Sequence, residues 1–127
     1  GDPLSVWCNN VTDLLGVDSR SGTGAMDGAA KTTVMLGVCT TGAANLADGY
    51  TATVNGVVYG DWFLPSKGEL NQMYVNKNVI GGLRSAPSYW SSSEYYDGLA
   101  WLQYFSSGYQ NSYGKSYAGY VRPVRAF

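Results

Sequence analysis

The stretch YWSSSEYYDGLAWLQYF, residues 89–105, decides the fold of this chain. It contains two short runs with a period of two, residues 89–94 and 99–105, and this period predicts two β-strands. Trp101 and Phe105 should then point to the same side of a sheet. Upstream of Tyr89 the apolar residues follow helical spacing instead. Because helices come first and strands last, the sequence predicts an α+β fold rather than alternating βαβ units.

The clearest helical signal lies directly upstream, at residues 66–76. Ser66 is the expected N-cap, and Glu69 follows three residues later, which is the spacing of a capping box. Apolar residues at i, i+4, i+7 and i+8 predict a first helix at the start of the chain. A length of about three turns favours a helix over a strand in the next apolar stretch, and a short helix follows it. These three predicted helices cover residues 4–15, 29–39 and 43–48.

Turn signals separate the predicted elements. Asn55-Gly56 lies between two short β-branched runs, so residues 50–59 are predicted as a β-hairpin. Residues 18–28 and 79–87 are predicted as loops, and residues 106–120 as a turn-rich stretch. Residues 120–127 should form a closing strand, in which Pro123 indicates an edge or bulge position.

Composition narrows the possible functions. The 127 residues indicate one domain, and 45% are hydrophobic, as in a folded globule. The net charge is −1 with only eight Lys and Arg, so we expect no nucleic-acid partner. No apolar run approaches the roughly 20 residues that span a bilayer, so direct membrane insertion is not expected. The chain starts at Gly1 without Met, which suggests a processed form or the C-terminal domain of a longer protein.

The candidates for catalysis and metal binding are weak. The chain has no His, and Ser91 to Ser93 lack the glycine flanks of a nucleophile elbow, so we expect no enzyme and no cofactor. Asp61 and Glu69 are not expected to be catalytic, because Glu69 has a capping role and Asp61 is expected to cap a turn. Glu94 is expected to form a buried hydrogen bond or ion pair, with Arg122 and Arg125 as available partners. Three tryptophans could stack on sugars but are predicted as core: Trp62, Trp90 and Trp101.

Cys8 and Cys39 leave two interpretations open. They could form one disulfide, but the preferred interpretation is a pair of small buried apolar side chains. Two cysteines without His do not predict a zinc site.

Tyrosine is concentrated in the last third of the chain. Eight of the eleven tyrosines lie in residues 89–120, and 19 of these 32 residues are Tyr, Ser or Gly. Antibody paratopes use this mixture, because Tyr gives a large rigid contact surface that Ser and Gly fit around. The tyrosines follow no single period, so they are not all expected in the core.

Several motifs together carry a resemblance to a known family. DWFLPSKGEL (61–70), YWSSSEY (89–95), the pair Ala100-Trp101, and VRPVRAF (121–127) resemble bacterial and phage domains of the C-type lectin fold. Within that fold the chain is most similar to variable proteins of diversity-generating retroelements. The resemblance implies a C-type lectin-like α+β domain over residues 1–127, with helices packed against small antiparallel sheets and with its two termini close together. Trp90, Trp101 and Phe105 should then be mostly buried.

The resemblance also divides residues 89–120 into a frame and a variable ligand-binding region. It implies a fixed frame at Trp90, Ser91, Ser92, Glu94, Trp101, Phe105, Gly108, Val121 and Arg122. It implies diversified, ligand-binding positions at Tyr96, Asp97, Gly98, Leu99, Leu102, Tyr104, Tyr109, Asn111, Ser112, Tyr113, Gly114, Ser116, Tyr117, Ala118 and Gly119. Five of these tyrosines are expected to form one exposed face, with Asp97, Leu102, Asn111 and Ser112 between them.

The resemblance implies that the protein displays a diversified surface that binds a macromolecular ligand. The expected ligand is a protein on a cell surface. The protein would then sit on a phage particle or a bacterial cell surface. The alternative is a bacterial surface adhesin or structural tip domain with a fixed protein or glycan ligand. The motifs of calcium-dependent sugar-binding lectins are absent from the sequence, so no metal is expected, although backbone carbonyls can bind Ca²⁺ without a sequence signature.

Overall fold

The computed structural model describes residues 2–17, 26–83 and 88–125, and in these ranges the chain is α+β. None of the described helices is long and apolar enough to cross a membrane. In chain order the elements are β1 (Leu4–Ser5), α1 (Gly28–Leu36), α2 (Ala43–Gly49), β2 (Ala52–Val54), β3 (Val57–Tyr59), α3 (Lys67–Val75), α4 (Lys77–Ile80), β4 (Ser88–Tyr96), β5 (Leu99–Tyr104), β6 (Gln110–Gly114) and β7 (Gly119–Tyr120).

The main sheet has five strands in the order β1-β7-β4-β5-β6. Most of its pairs are antiparallel, but β4 and β7 run parallel where Tyr89 meets Tyr120, so the expectation of purely antiparallel sheets is wrong at this point. The β1–β7 pair aligns Leu4 with Tyr120 and brings the two ends of the described chain together. Val121 N–H reinforces the pair by donating to the Pro3 carbonyl over 2.9 Å.

Two hydrophobic clusters lie on opposite sides of this sheet, because successive residues of a strand point to opposite faces. Trp90 belongs to the cluster that contains Trp7 and Met35 of the N-terminal half. Its neighbour Tyr89 belongs to the cluster formed with α3 and Phe105. Both clusters share β4, so the sheet is the central layer of the fold.

The predicted helix at residues 66–76 is confirmed as α3, and its capping box is complete. The Ser66 hydroxyl accepts from Glu69 N–H, and Glu69 Oε1 accepts from Ser66 N–H over 2.8 Å. The same oxygen accepts from Gly28 N–H over 2.9 Å, so one carboxylate links the starts of α1 and α3. The helices predicted at 29–39 and 43–48 are confirmed as α1 and α2.

The predicted hairpin at residues 50–59 is confirmed as β2 and β3, a separate two-stranded sheet. Asn55 and Gly56 have φ values of 52° and 79°. Two consecutive positive φ values define the turn that matches the twist of paired strands, and this explains the Asn-Gly sequence.

The predicted helix at residues 4–15 is wrong. Only Leu4–Ser5 is regular, as β1, and the chain then continues without a helix to Val17. Trp7 is fully buried, whereas Val11 and Leu14 are exposed, so these apolar residues do not share one face. Residues far along the chain hold residues 4–15 in place. For example, Trp7 N–H donates to the Lys115 carbonyl over 2.9 Å.

The preferred interpretation of the two cysteines is also wrong, because Cys8 and Cys39 form a disulfide. This bond joins the N-terminal segment to the chain that follows α1.

The remaining loop and strand predictions hold only in part. The short helix α4 occupies residues 77–80 at the start of the predicted 79–87 loop, and β6 is a strand within the stretch predicted as turns. The predicted closing strand is reduced to β7 and an isolated bridge between Phe63 and Val124. Residues 18–25, 84–87 and 126–127 of these predictions lie outside the described residues.

Candidate ligand-binding surface

The register of β5 and β6 divides the candidate site between the two sides of the sheet. Directly paired residues point to the same side. Ala100 pairs with Tyr113 and Leu102 with Asn111, on the side of Trp90. The alternate pairs point to the other side: Leu99 with Gly114 and Trp101 with Ser112. The prediction that Ser112 lies between the tyrosines is therefore wrong, because Ser112 is on the other side of the sheet from Tyr113.

Four tyrosines lie in contact on the Trp90 side, and we call Tyr104, Tyr109, Tyr113 and Tyr117 the tyrosine cluster. Tyr104 and Tyr109 are stacked with ring centroids 6.3 Å apart, and Tyr113 and Tyr117 are 4.9 Å apart. The Tyr104 hydroxyl donates to the Tyr113 hydroxyl over 2.9 Å and joins the two pairs. Residues separated by up to 13 positions thus form one continuous aromatic surface.

The tyrosine cluster is anchored on its inner side and open on its outer side. Tyr104 and Tyr113 pack against the core, and Tyr117 meets buried Trp90 edge-on at 6.2 Å. Tyr109 is 60% exposed and Tyr117 is 45% exposed. These rings therefore offer apolar area to a partner while the framework restricts their motion.

The electrostatics of the cluster favour the neutral form of the Tyr104 phenol. The hydrogen bond to Tyr113 is the largest cause that raises the pKa of Tyr104, to about 12, and burial and the neighbouring phenols act in the same direction. Ionised Tyr104 would lose its role as donor and face further phenols. Tyr104 therefore contributes a neutral hydroxyl group to the cluster at ordinary pH.

A buried ion pair supports the turn that carries Tyr117. Lys115 Nζ lies 2.6 Å from Glu94 Oε2, and neither side chain is exposed. The Glu94 carboxylate also accepts from the backbone N–H groups of Leu15, Gly16 and Val17. The predicted buried role of Glu94 is thus confirmed, but its partner is Lys115.

The two arginines named as possible partners of Glu94 are engaged elsewhere. Arg122 pairs with Asp2, and Arg125 pairs with Asp61 over 2.7 Å. Asp61 therefore has an ion-pair partner beyond the turn role expected for it, and Arg125 lowers the pKa of this carboxyl group. No local pattern in the sequence marks Lys115, which is 21 residues from Glu94.

Trp101 occupies the opposite side of the sheet. Its ring meets Tyr95 edge-on at 5.1 Å, and Lys67 Nζ lies 3.5 Å from its centroid. Burial lowers the pKa of Lys67. The prediction of a buried frame is confirmed for Trp90 and Phe105, but Trp101 is only partly buried. Trp62 is also partly buried, so its placement in the core is confirmed only in part.

Two residues predicted as diversified contacts belong to the frame instead. Leu102 is only 1% exposed and is part of the core with Trp90. Gly119 is buried, and a Cβ atom there would lie 2.9 Å from two atoms of the Trp90 indole. A ligand on the surface therefore contacts neither the Leu102 side chain nor Gly119.

The other predicted site residues remain accessible at least in part. Tyr96 ends β4 and is 50% exposed. It pairs with Leu99 and so lies on the other side of the sheet from the tyrosine cluster, and the prediction of a single five-tyrosine face is wrong for this residue. Asp97 and Gly98 form the turn to β5. Ser116 and Ala118 are exposed in the turn between β6 and β7. Asn111 is half-buried on the edge strand β6, as are Ser112 and Gly114 on its other side.

Comparison of the chain with models of known protein families gives no match, and comparison with curated proteins gives none either.

Proposed function

We propose that this chain is a C-type lectin-like display protein whose Tyr/Ser/Gly-rich region binds a macromolecular ligand. The ligand we propose is a protein on a cell surface, and the protein itself would be carried by a phage particle or a bacterial cell surface. We further propose that the region is diversified, as in variable proteins of diversity-generating retroelements, and that the domain is not an enzyme.

One observation carries this proposal, the tyrosine cluster itself. Two pairs of rings are joined by the Tyr104–Tyr113 hydrogen bond, and the outer two rings expose 60% and 45% of their surface. Exposed aromatic surface of this kind marks binding sites, and clustered tyrosines are frequent interface hot spots. The inner rings rest on the core, so binding costs little ordering of side chains.

The edge position of β6 extends the proposed surface. A partner that meets this edge contacts Asn111 and Tyr113 on one side of the strand and Ser112 and Gly114 on the other, because alternate residues point to opposite sides. The turn that holds Ser116 and Ala118 continues the same edge. The proposed contact set is therefore the predicted set without Leu102 and Gly119.

The fold can tolerate diversification because its variable side chains are exposed while its supporting side chains are buried. Substitutions at Tyr109 or Tyr117 change exposed side chains, whereas Lys115, between them, is fully buried in its ion pair. A diversifying mechanism that spares Lys115 and Trp90 would change the contacts without removing the core. Surface substitutions away from such buried features usually change stability by only about 0.5 kcal/mol.

Sequencing of sister genes and of the DNA beside the coding gene tests diversification. We expect a near-copy of the segment for residues 89–127 beside a reverse-transcriptase gene. Differences between the copies should fall at exposed positions such as Tyr109, Asn111 and Tyr117 and should spare Trp90 and Lys115. Identical surface residues in all sister genes, with no near-copy, would contradict diversification and favour an adhesin or structural tip domain with a fixed ligand.

A further inference from the structure

A pocket of about 530 Å³ opens beside the β1–β7 pair, where both ends of the described chain contribute to its wall. Its volume lies in the range of small-molecule sites, roughly 300–1,000 Å³. No member of the tyrosine cluster lines it. The pocket is therefore separate from the surface to which the proposed function is assigned.

One wall of the pocket is aromatic and apolar. Tyr50 and Trp62 meet edge-on with centroids 4.9 Å apart, and Leu46 lies beside them. Trp62 Nε1 already donates to the Tyr59 carbonyl over 2.7 Å, so the rest of the indole is an apolar surface with no polar group to satisfy. Leu46 and Tyr50 are 40% and 44% exposed, which leaves this wall open to a ligand.

The other wall includes Arg122 and Gly82, and the guanidinium group of Arg122 lies against Gly82. Its Nη1 atom donates to both carboxylate oxygens of Asp2, at 3.3 and 3.4 Å, and to the Gly82 carbonyl at 3.3 Å. Among the described residues, no hydrogen bond uses its Nε or Nη2 atom. The Tyr89 hydroxyl also donates to Asp2, so this carboxylate accepts from two side chains, of which Arg122 carries the compensating charge. Arg122 thus keeps donors for a second acceptor.

We propose that this pocket binds a small ligand that carries a carboxylate beside an apolar ring. The ring would pack between Tyr50, Trp62 and Leu46. The carboxylate would accept from Nε and Nη2 of Arg122, because the planar fork of arginine matches the two oxygens of a carboxylate. A cationic ligand would face the guanidinium charge, and a neutral one would leave its donors unused. Aryl acids offer this chemistry with their whole ring, and acidic sugars offer it with the apolar C–H face of theirs.

Titration calorimetry with two matched pairs of probes tests the chemistry. Phenylacetate is compared with phenylacetamide, and glucuronate with glucose. We expect a carboxylate to bind about tenfold or more tightly than its neutral counterpart, since a hydrogen bond to a charged group contributes more than the factor of ten in affinity requires. Selective binding of phenylacetate indicates an aryl acid, and selective binding of glucuronate indicates an acidic sugar. Equal binding of acid and neutral counterpart, or no binding of either acid at millimolar concentration, overturns the proposal.

Substitutions of Leu46, at the mouth of the pocket, locate the site without disturbing the ion pair between Arg122 and Asp2. Leu46→Glu adds a negative charge on an exposed residue, and Leu46→Gln is its neutral control of similar size. We expect Leu46→Glu to weaken carboxylate binding about tenfold while Leu46→Gln retains most of it, since like charges repel at short range. Arg122→Lys, which keeps the charge but removes the fork, should also weaken binding. If the two Leu46 variants bind the acid equally, the ligand does not sit in this pocket.

Discussion

Lys115 Nζ lies 2.6 Å from Glu94 Oε2 in the interior, and both side chains are completely buried. Lys115 also donates to the Asp13 carbonyl over 2.8 Å, so the pair ties the N-terminal segment to β4 and to the turn after β6. That turn carries Tyr117. The pair therefore links the frame to the proposed binding surface.

Removal of one member of this pair should strongly destabilise the fold. Lys115→Met leaves the Glu94 carboxylate buried without its counter-charge, and loss of one partner of a buried pair costs about 3–5 kcal/mol. The free energy of unfolding from urea titration measures the effect. The double variant Glu94→Gln/Lys115→Met should lose less than the sum of the two single variants. Asp61→Asn, which breaks the solvent-exposed pair with Arg125, is the control and should leave the urea midpoint nearly unchanged. Additive losses at Glu94 and Lys115 would show that the pair is not coupled.

The disulfide should contribute to stability through the loop that it closes. Cys8 and Cys39 are 31 residues apart. A crosslink over that distance restricts the unfolded chain by about 3–4 kcal/mol. We expect the double variant Cys8→Ala/Cys39→Ala, or reduction of the native protein, to lower the free energy of unfolding by about this amount. Two free thiols in the native protein, with the same unfolding curve with and without reductant, would contradict the bond.

Gly114 and Gly119, which were both predicted as diversified, should differ sharply in their tolerance of a methyl side chain. A methyl group at Gly119 would collide with the Trp90 indole, so Gly119→Ala should destabilise by about 1–3 kcal/mol. At Gly114 the nearest atom to such a methyl group is 3.9 Å away, and Gly114→Ala should have little effect. Thermal unfolding of the two variants side by side is the measurement. Equal melting temperatures would remove Gly119 from the frame.

Sequence predicted the elements whose signals are local. The capping box at Ser66 contains both residues that form its hydrogen bonds, and the Asn55-Gly56 turn contains both residues that adopt its positive φ values. Both elements are confirmed. The segment 4–15 failed because its conformation depends on partners far along the chain, such as the Lys115 carbonyl and Cys39. Strand β6 was missed for a related reason. Its sequence QNSYG has little strand character, and it is a strand because it pairs with β5.

The candidate site was predictable in composition but not in arrangement. The excess of Tyr, Ser and Gly indicated a binding surface. It did not show that Leu102 turns into the core or that Ser112 lies on the far side of the sheet from Tyr113. Those assignments depend on strand register, which a one-residue shift reverses.

The hydrogen bond between the Tyr104 and Tyr113 hydroxyl groups should change the titration of Tyr104. Donation from Tyr104 to Tyr113 raises the pKa of Tyr104 to about 12. Because this folded-state pKa is above the ordinary value of about 10, the stabilisation is fully present below pH 10 and is lost as the pH rises through 12. In Tyr113→Phe the pKa of Tyr104 should fall towards its ordinary value, as measured by phenolate absorbance during a pH titration. An unchanged titration curve would mean that the two hydroxyl groups are not bonded.

The most direct test of the binding surface compares exposed residues inside and outside the cluster. The purified domain, fluorescently labelled, is titrated onto intact cells of a panel of bacterial strains, and the melting temperature of each variant is measured in parallel. Tyr109→Ala and Tyr117→Ala are the test variants. Val58→Ala is the control, because Val58 is 64% exposed against 60% for Tyr109 and lies outside both the cluster and the pocket.

For a strain that binds the native domain, we predict that each cluster variant weakens binding by about 2 kcal/mol or more, roughly thirtyfold, with little change in melting temperature. Val58→Ala should bind as the native domain does, and protease treatment of the cells should abolish binding. Equal loss in all three variants, no loss in the cluster variants, or no binding to any strain above that of a variant with all four cluster tyrosines replaced by alanine would contradict the account.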